Sequence, residues 1–172
     1  MKILICGFMG AGKTTLLNQF KENDLGFECL DLDFTIASDL NLTSLNLGAW
    51  IESHGFLAFR DLESAKLKYL LKDPQSMVIA LGGGSLSSEN LTLIKSERET
   101  YLVFLDTELD VCLERIKHDA NRPLLKLPRE EIVKLYEQRR VNFMQSHLIV
   151  GRTQLKEIVG LDSLVHNLLS IG

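Results

Sequence analysis

Lys2-Ile3-Leu4-Ile5-Cys6-Gly7-Phe8-Met9-Gly10-Ala11-Gly12-Lys13-Thr14 opens the chain, and its reading decides the rest. Residues 2–6, apolar from Ile3 on, read as a short buried strand. Residues 7–14 fit G-x-x-x-x-G-K-[ST], the phosphate-binding loop, and residues 14–22 are compatible with a helix. Strand, glycine-rich loop and helix N-terminus must come in that order, because the anion is held by backbone N–H groups at the start of the helix. Glycines let those groups approach without a Cβ in the way. Lys13 adds a mobile positive charge that reaches the β- and γ-phosphates, and Thr14 offers a hydroxyl to Mg²⁺.

The remaining composition narrows the class. A chain of 172 residues predicts one compact domain. Hydrophobic content of 45% and charged content of 24% are those of an ordinary globular protein. A net charge of −4 leaves no basic stripe to displace counterions, which argues against general nucleic-acid binding. No apolar run approaches the length of a membrane span, and the N-terminal run stops at Gly7 without a cleavage-type tail. Cys6, Cys29 and Cys112 are odd in number and lack metal-ligand spacing, so they read as buried free thiols in a reducing cytoplasm.

Working outward, strands and helices alternate. Phe27–Leu30 reads as a second strand ending at Asp31-Leu32-Asp33, with a helix beginning over 34–40. Residues 44–54 and 56–72 read as helices, the second with Phe56, Phe59, Leu62, Ala65, Tyr69 and Leu70 as its core face, ended by Asp73-Pro74. Met77–Leu81 is a buried strand that stops at Gly82-Gly83-Gly84, and Ser87 or Ser88 caps a helix to about 96. A strand over 101–105 and a helix over 108–118, capped by Thr107, follow. Residues 119–128 read as a polar loop, 129–144 as a helix, 147–150 as a strand and 162–170 as a final helix. Strands separated by helices predict an α/β fold with a parallel sheet covered on both faces.

In such sheets ligands bind at the carboxyl ends of the strands. The phosphate loop, the Asp31-x-Asp33 pair and the triple glycine all stand there, so they are expected to share one crevice. In extended backbone Asp31 and Asp33 would face the same way. One carboxylate can serve Mg²⁺, and the other can accept the proton of an attacking hydroxyl. Gly82, Gly83 and Gly84 allow close backbone approach to a ligand. Arg60 is followed three residues later by Glu63, a spacing that lets the carboxylate hold the guanidinium. Arg122, in the polar loop, can close over phosphates. Of Arg139 and Arg140, one faces the crevice; periodicity does not decide which.

With these residues the chain resembles the shikimate kinases, of the nucleoside-monophosphate-kinase-like P-loop fold. The resemblance rests on residues 7–14, Asp31-Leu32-Asp33, Phe59-Arg60-Asp61-Leu62-Glu63, Gly82-Gly83-Gly84, Arg122-Pro123-Leu124-Leu125 and Leu135-Tyr136-Glu137-Gln138-Arg139. It implies a three-layer α/β/α domain over residues 1–172, with a central five-stranded parallel sheet, an acid-binding segment over about 33–62 and a mobile lid over about 117–127. It implies that Gly10, Ala11, Gly12, Lys13, Thr14, Thr15, Arg115 and Arg122 bind ATP, Arg115 beside adenine and Arg122 as the lid arginine. Thr14 and Asp31 take Mg²⁺, directly and in the outer shell. Asp33, Arg60, Gly82, Gly83, Gly84 and Arg139 bind shikimate, Arg60 and Arg139 gripping its carboxylate. Asp33, Lys13 and Arg122 are the implied catalytic residues.

The chain departs from the family pattern at three places. Gly55 is followed by Phe56 rather than Glu, and residues 41–49 look longer than usual. Val141-Asn142-Phe143 follows where Pro-Leu-Tyr is usual. Trp50, within a register error of one, is the candidate aromatic wall of the acid pocket, and an adenine contact is expected near 152–156. The implied activity is ATP-dependent phosphorylation of the 3-hydroxyl of shikimate by a cytoplasmic monomer, without nucleic-acid or membrane partners. A kinase for another hydroxy acid such as gluconate, and a nucleotide-binding regulatory module without catalysis, are the alternatives.

Overall fold

The computed structural model describes residues 1–22, 25–117 and 123–170. β1 (Lys2–Cys6) is buried along its whole length, Lys2 included, whose ammonium donates to the Gln75 carbonyl. The loop that follows has Gly7, Gly10 and Gly12 at φ 150°, 76° and 103°, and Gly12 is the N-cap of α1 (Lys13–Phe20). Then come β2 (Glu28–Asp31), α2 (Leu32–Asp39), α3 (Ser44–His54), α4 (Phe56–Lys72) and β3 (Met77–Ala80). They are followed by α5 (Ser88–Ser96), β4 (Thr100–Asp106), α6 (Leu109–Ile116), a 3-10 turn at Pro123–Lys126, α7 (Arg129–Phe143), β5 (Leu148–Gly151), α8 (Arg152–Glu157) and α9 (Leu161–Leu169).

The five strands form one all-parallel sheet in the order β2-β3-β1-β4-β5. Leu4 pairs with Ile79 on one side and Leu102 on the other. Central strands of a parallel sheet are covered on both faces, which is why β1, β3 and β4 read as continuous apolar runs. Alternation divides them. Ile3, Ile5, Val78, Ala80, Val103 and Leu105 pack with Leu16, Leu17 and Phe20 of α1, Cys112 of α6 and Leu161, Leu164 and Leu168 of α9. Leu4, Cys6, Met77, Ile79, Leu102 and Phe104 pack with Ile36 of α2, Phe59 and Leu67 of α4, Ile94 of α5 and Phe143 of α7. Each fully buried side chain of this size stabilises by about 1.5–3 kcal/mol. Among the described residues no helix is long and apolar enough to cross a membrane.

Several expectations are corrected. The buried face of α4 is Phe59, Glu63, Leu67, Leu70 and Leu71, whereas Phe56 and Tyr69 are 49% and 66% exposed and Ala65 is exposed. A buried carboxylate at the centre of that stripe hides it from hydropathy. α8 has no counterpart among the expected elements, because six residues carry no period. Thr107 does not cap α6, whose N-cap is Glu108; its hydroxyl donates instead to the Ala11 carbonyl at 3.1 Å. Cys6 and Cys112 are buried as expected, but Cys29 is half-buried. Residues 118–122, part of the expected lid and including Arg122, lie outside the described residues.

Gly10 couples the loop to α6, because a Cβ there would run into the Cys112 carbonyl. Gly26 has a similar φ of 71°, yet nothing among the described residues lies within 4 Å of its Cβ position. Gly26→Ala is expected to cost about 1–2 kcal/mol of stability, the left-handed strain alone, and Gly10→Ala more. Urea unfolding checks this; equal costs would contradict the tight loop–α6 contact.

Candidate active site

The carboxyl ends of β1, β2 and β3 open on a cleft of about 1270 Å³. That exceeds the roughly 300–1,000 Å³ of a typical small-ligand pocket and leaves room for two substrates. The phosphate loop forms one wall, and its carbonyls are occupied. Lys13 Nζ donates to the carbonyls of Gly7 (2.8 Å) and Phe8 (3.0 Å), and Arg115 Nη1 to those of Gly10 (3.0 Å) and Ala11 (3.2 Å). What such a loop has left for a ligand is N–H groups, reinforced by the positive end of α1. Gly10, Gly12, Lys13, Thr14 and Thr15 line the cleft, while Ala11 is buried behind them.

The two aspartates do not share a strand face as expected. β2 ends at Asp31, which is the N-cap of α2, and Asp33 stands in the first turn of that helix. Asp31 Oδ1 accepts the N–H groups of Asp33 (3.1 Å) and Phe34 (3.3 Å), and Oδ2 accepts the Thr14 hydroxyl at 3.0 Å. A cap of this kind is worth about 1 kcal/mol and locks the carboxylate in place. The Thr14–Asp31 pair, two hard oxygens beside the phosphate loop, suits a Mg²⁺ ion that keeps several waters and phosphate oxygens. Asp33 lines the cleft, and its Oδ1 is buried without a hydrogen-bond partner among the described residues. Burial raises its pKa to about 6, helped by the charges of Glu63 and Asp31 and opposed by Lys13 and Arg60.

The far wall is built around Glu63, 0% exposed, which accepts the Arg60 guanidinium on Oε2 and the Ser85 hydroxyl on Oε1. Burial pushes its pKa up, while Arg60 and Ser85 pull it back. Burial also lowers the pKa of Arg139 to about 10, with repulsion from Arg60 adding and Glu63 opposing. The triple glycine gives these side chains room. A Cβ on Gly82 would lie 2.5 Å from Asp33 Oδ1 and 2.7 Å from Glu63 Oε1. On Gly84 it would lie 2.5 Å from Arg60 Nη2 and 2.9 Å from Arg139 Nη2. The glycines are needed for this close packing; none of the three has a positive φ. Two guanidiniums against one buried carboxylate leave a positive charge facing the cleft.

The choice left open between the paired arginines is thereby settled: Arg139 lines the cleft, and Arg140 pairs with Asp106 at 2.7 Å. Trp50 is not the pocket wall. It stacks on His54 with centroids 4.2 Å apart, and Leu47, Ile51, Phe56 and Phe59 line the cleft instead. Leu155 and Lys156 of α8 line the cleft, as do Arg115 and Ile116. The sequence marked that region without resolving a residue. Ser85 went unmarked, since a serine after glycines carries no signal of its own.

A phosphate loop that faces two converging guanidiniums and an unpartnered carboxylate defines a P-loop kinase for a small molecule. Residues 9–168 match the family model for shikimate kinase. The shikimate kinase of Aquifex aeolicus is 34% identical over 161 residues, 92% of each chain. Its crystal structure superimposes with a TM-score of 0.77, over 97% of this chain and 98% of that one. Shikimate kinase from Acinetobacter baumannii, solved in complex with shikimate, is 27% identical with a TM-score of 0.83, over 98% of this chain and 93% of that one. The chain belongs to the shikimate kinase family.

The raised pKa of Asp33 is also a statement about stability. A carboxyl with a folded-state pKa near 6, above its ordinary 3.8, favours the folded state at low pH; that contribution is lost as pH rises through 6. Asp33→Asn removes the charge. It is expected to raise stability above pH 6 by up to about 3 kcal/mol, the advantage shrinking as pH falls toward 4. Thermal melts across that range check it; a pH-independent difference would contradict the burial of an ionised Asp33.

Proposed function

We propose that the cleft binds ATP and shikimate together and transfers the γ-phosphoryl group to the 3-hydroxyl of shikimate. The observation that carries this reading is the buried Asp33 Oδ1, unpartnered among the described residues, in a cleft it shares with Lys13 of the phosphate loop and with Arg60 and Arg139. A hydroxyl donor is what that oxygen lacks, and an acid's carboxylate is what the two guanidiniums lack. The acceptor is thus held at two ends with one hydroxyl turned toward the phosphate loop. Bidentate arginine recognition suits a carboxylate.

In the step itself Asp33 accepts the proton of the attacking hydroxyl. The hydroxyl oxygen bonds to the γ-phosphorus, and the bond to the bridging oxygen breaks to leave ADP. Lys13 stabilises charge developing on the phosphates, as does Arg122 from a lid over about 117–127. Gly10, Ala11, Gly12, Thr14 and Thr15 cradle the phosphates, and Arg115 flanks the base. Thr14, with Asp31 in the outer shell, would hold Mg²⁺, which neutralises phosphate charge when bound. Gly82, Gly83 and Gly84 line the acid pocket within the acid-binding segment's reach, about 33–62. The 172-residue chain works as one kinase domain, a monomer of the cytoplasm, where its free thiols stay reduced.

In a coupled assay ADP release is expected to depend on shikimate and not on gluconate; turnover with gluconate alone would contradict the acceptor. The kcat/KM for shikimate is expected to fall as pH drops through about 6, because a protonated Asp33 cannot accept the hydroxyl proton. A profile flat through that range would remove Asp33 from the proton transfer.

A further inference from the structure

Helix α7 brings more than Arg139 to the acid side. Asn142 stands three residues further on, so the two side chains share a face of the helix. Its Nδ2 donates to the Leu86 carbonyl at 2.9 Å. Leu86 belongs to the same turn as the glycines under Arg139: a Cβ on Gly83 would lie 3.6 Å from Arg139 Nη1. That turn is held from its other side. The Ser85 N–H donates to Gly82 O (3.1 Å), Asn90 Nδ2 donates to Ser85 O (2.7 Å), and the Ser85 hydroxyl reaches Glu63.

Other attachments of α7 lead to the phosphate loop, where the Tyr136 and Phe8 rings lie 5.2 Å apart, to α6, where Arg129 pairs with Asp110, and to β4 and the residue after it. Arg140 pairs with Asp106, Tyr136 Oη donates to Thr107 O at 3.2 Å, and the Phe143 and Phe104 rings lie 5.2 Å apart. They fix the helix to the sheet but not to the acid turn. The Arg139 guanidinium makes no hydrogen bond among the described residues; it lies over the Phe8 ring at 5.7 Å. Its position rests on burial, on the attraction of Glu63 and on where α7 stands.

We propose that Asn142 is a positioning residue: its amide fixes α7 against the Gly82–Leu86 turn and so sets where Arg139 meets the substrate carboxylate. This rests on the reading that Arg139 grips that carboxylate.

The test is steady-state kinetics of Asn142→Leu and, as a smaller replacement that keeps the helix, Asn142→Ala. Folding of each is checked by thermal melting. The KM for shikimate is expected to rise about tenfold, with kcat within about twofold and the KM for ATP unchanged. Asn142→Gln, which keeps the amide donor, recovers most of the loss. In an Arg139→Ala background Asn142→Leu adds nothing further, because the effect runs through Arg139. An unchanged shikimate KM in both variants overturns the proposal, as does an equal rise in the Arg139→Ala background. A wild-type enzyme without shikimate-dependent turnover would instead overturn the functional reading, and this proposal with it.

Discussion

A carboxylate with no solvent exposure, Glu63, is the constraint on which the acid side of the molecule depends. A buried charge is tolerated only when it is paired and hydrogen-bonded. Glu63 therefore fixes Arg60 on α4 and Ser85 on the turn after β3, and it draws Arg139 from α7 toward the same place. Three elements distant in sequence are tied to one group. The outcome is a pocket in which two guanidiniums are gathered around one buried carboxylate, with one positive charge left over. An entering anion neutralises the remaining charge without either arginine having to be recruited from solvent.

The opposite wall works by leaving a group unmatched. Asp31 is engaged as a helix cap and partner of Thr14, whereas Asp33, two residues on, keeps a buried oxygen without a partner among the described residues. The same burial that raises the Asp33 pKa toward 6 makes it a better proton acceptor than a solvated aspartate. Its cost in stability is the counterpart of the role proposed for it. Glycine at position 82 is what lets Asp33 and Glu63 come so near to the β3 turn.

Much of this was legible in the chain. The phosphate loop is local chemistry, and strand, loop and helix are contiguous, so Gly7–Thr14 carried its own context. The positions of Asp31 and the triple glycine at strand ends followed from the alternation of elements. What failed was geometry that depends on tertiary packing. Periodicity placed Asp33 in a strand although Asp31 caps a helix. It put Tyr69 in the core because a buried Glu63 does not look apolar. It could not choose between Arg139 and Arg140, a choice made by Asp106 on β4. Trp50, the one tryptophan, drew attention for its type and proved to stack on His54. Asn142 had no signal beyond its departure from a family pattern, since its partner is a backbone carbonyl fifty-six residues away.

The central claim is that one net positive charge, left by Arg60 and Arg139 over Glu63, selects a carboxylate. Calorimetric titration with shikimate and with its methyl ester tests it most directly, because the ester removes that charge and keeps the ring and its hydroxyls. The account predicts that the ester binds at least about 100-fold more weakly, the loss expected when charge-assisted hydrogen bonds are removed from a buried site. Equal affinities for acid and ester would contradict it.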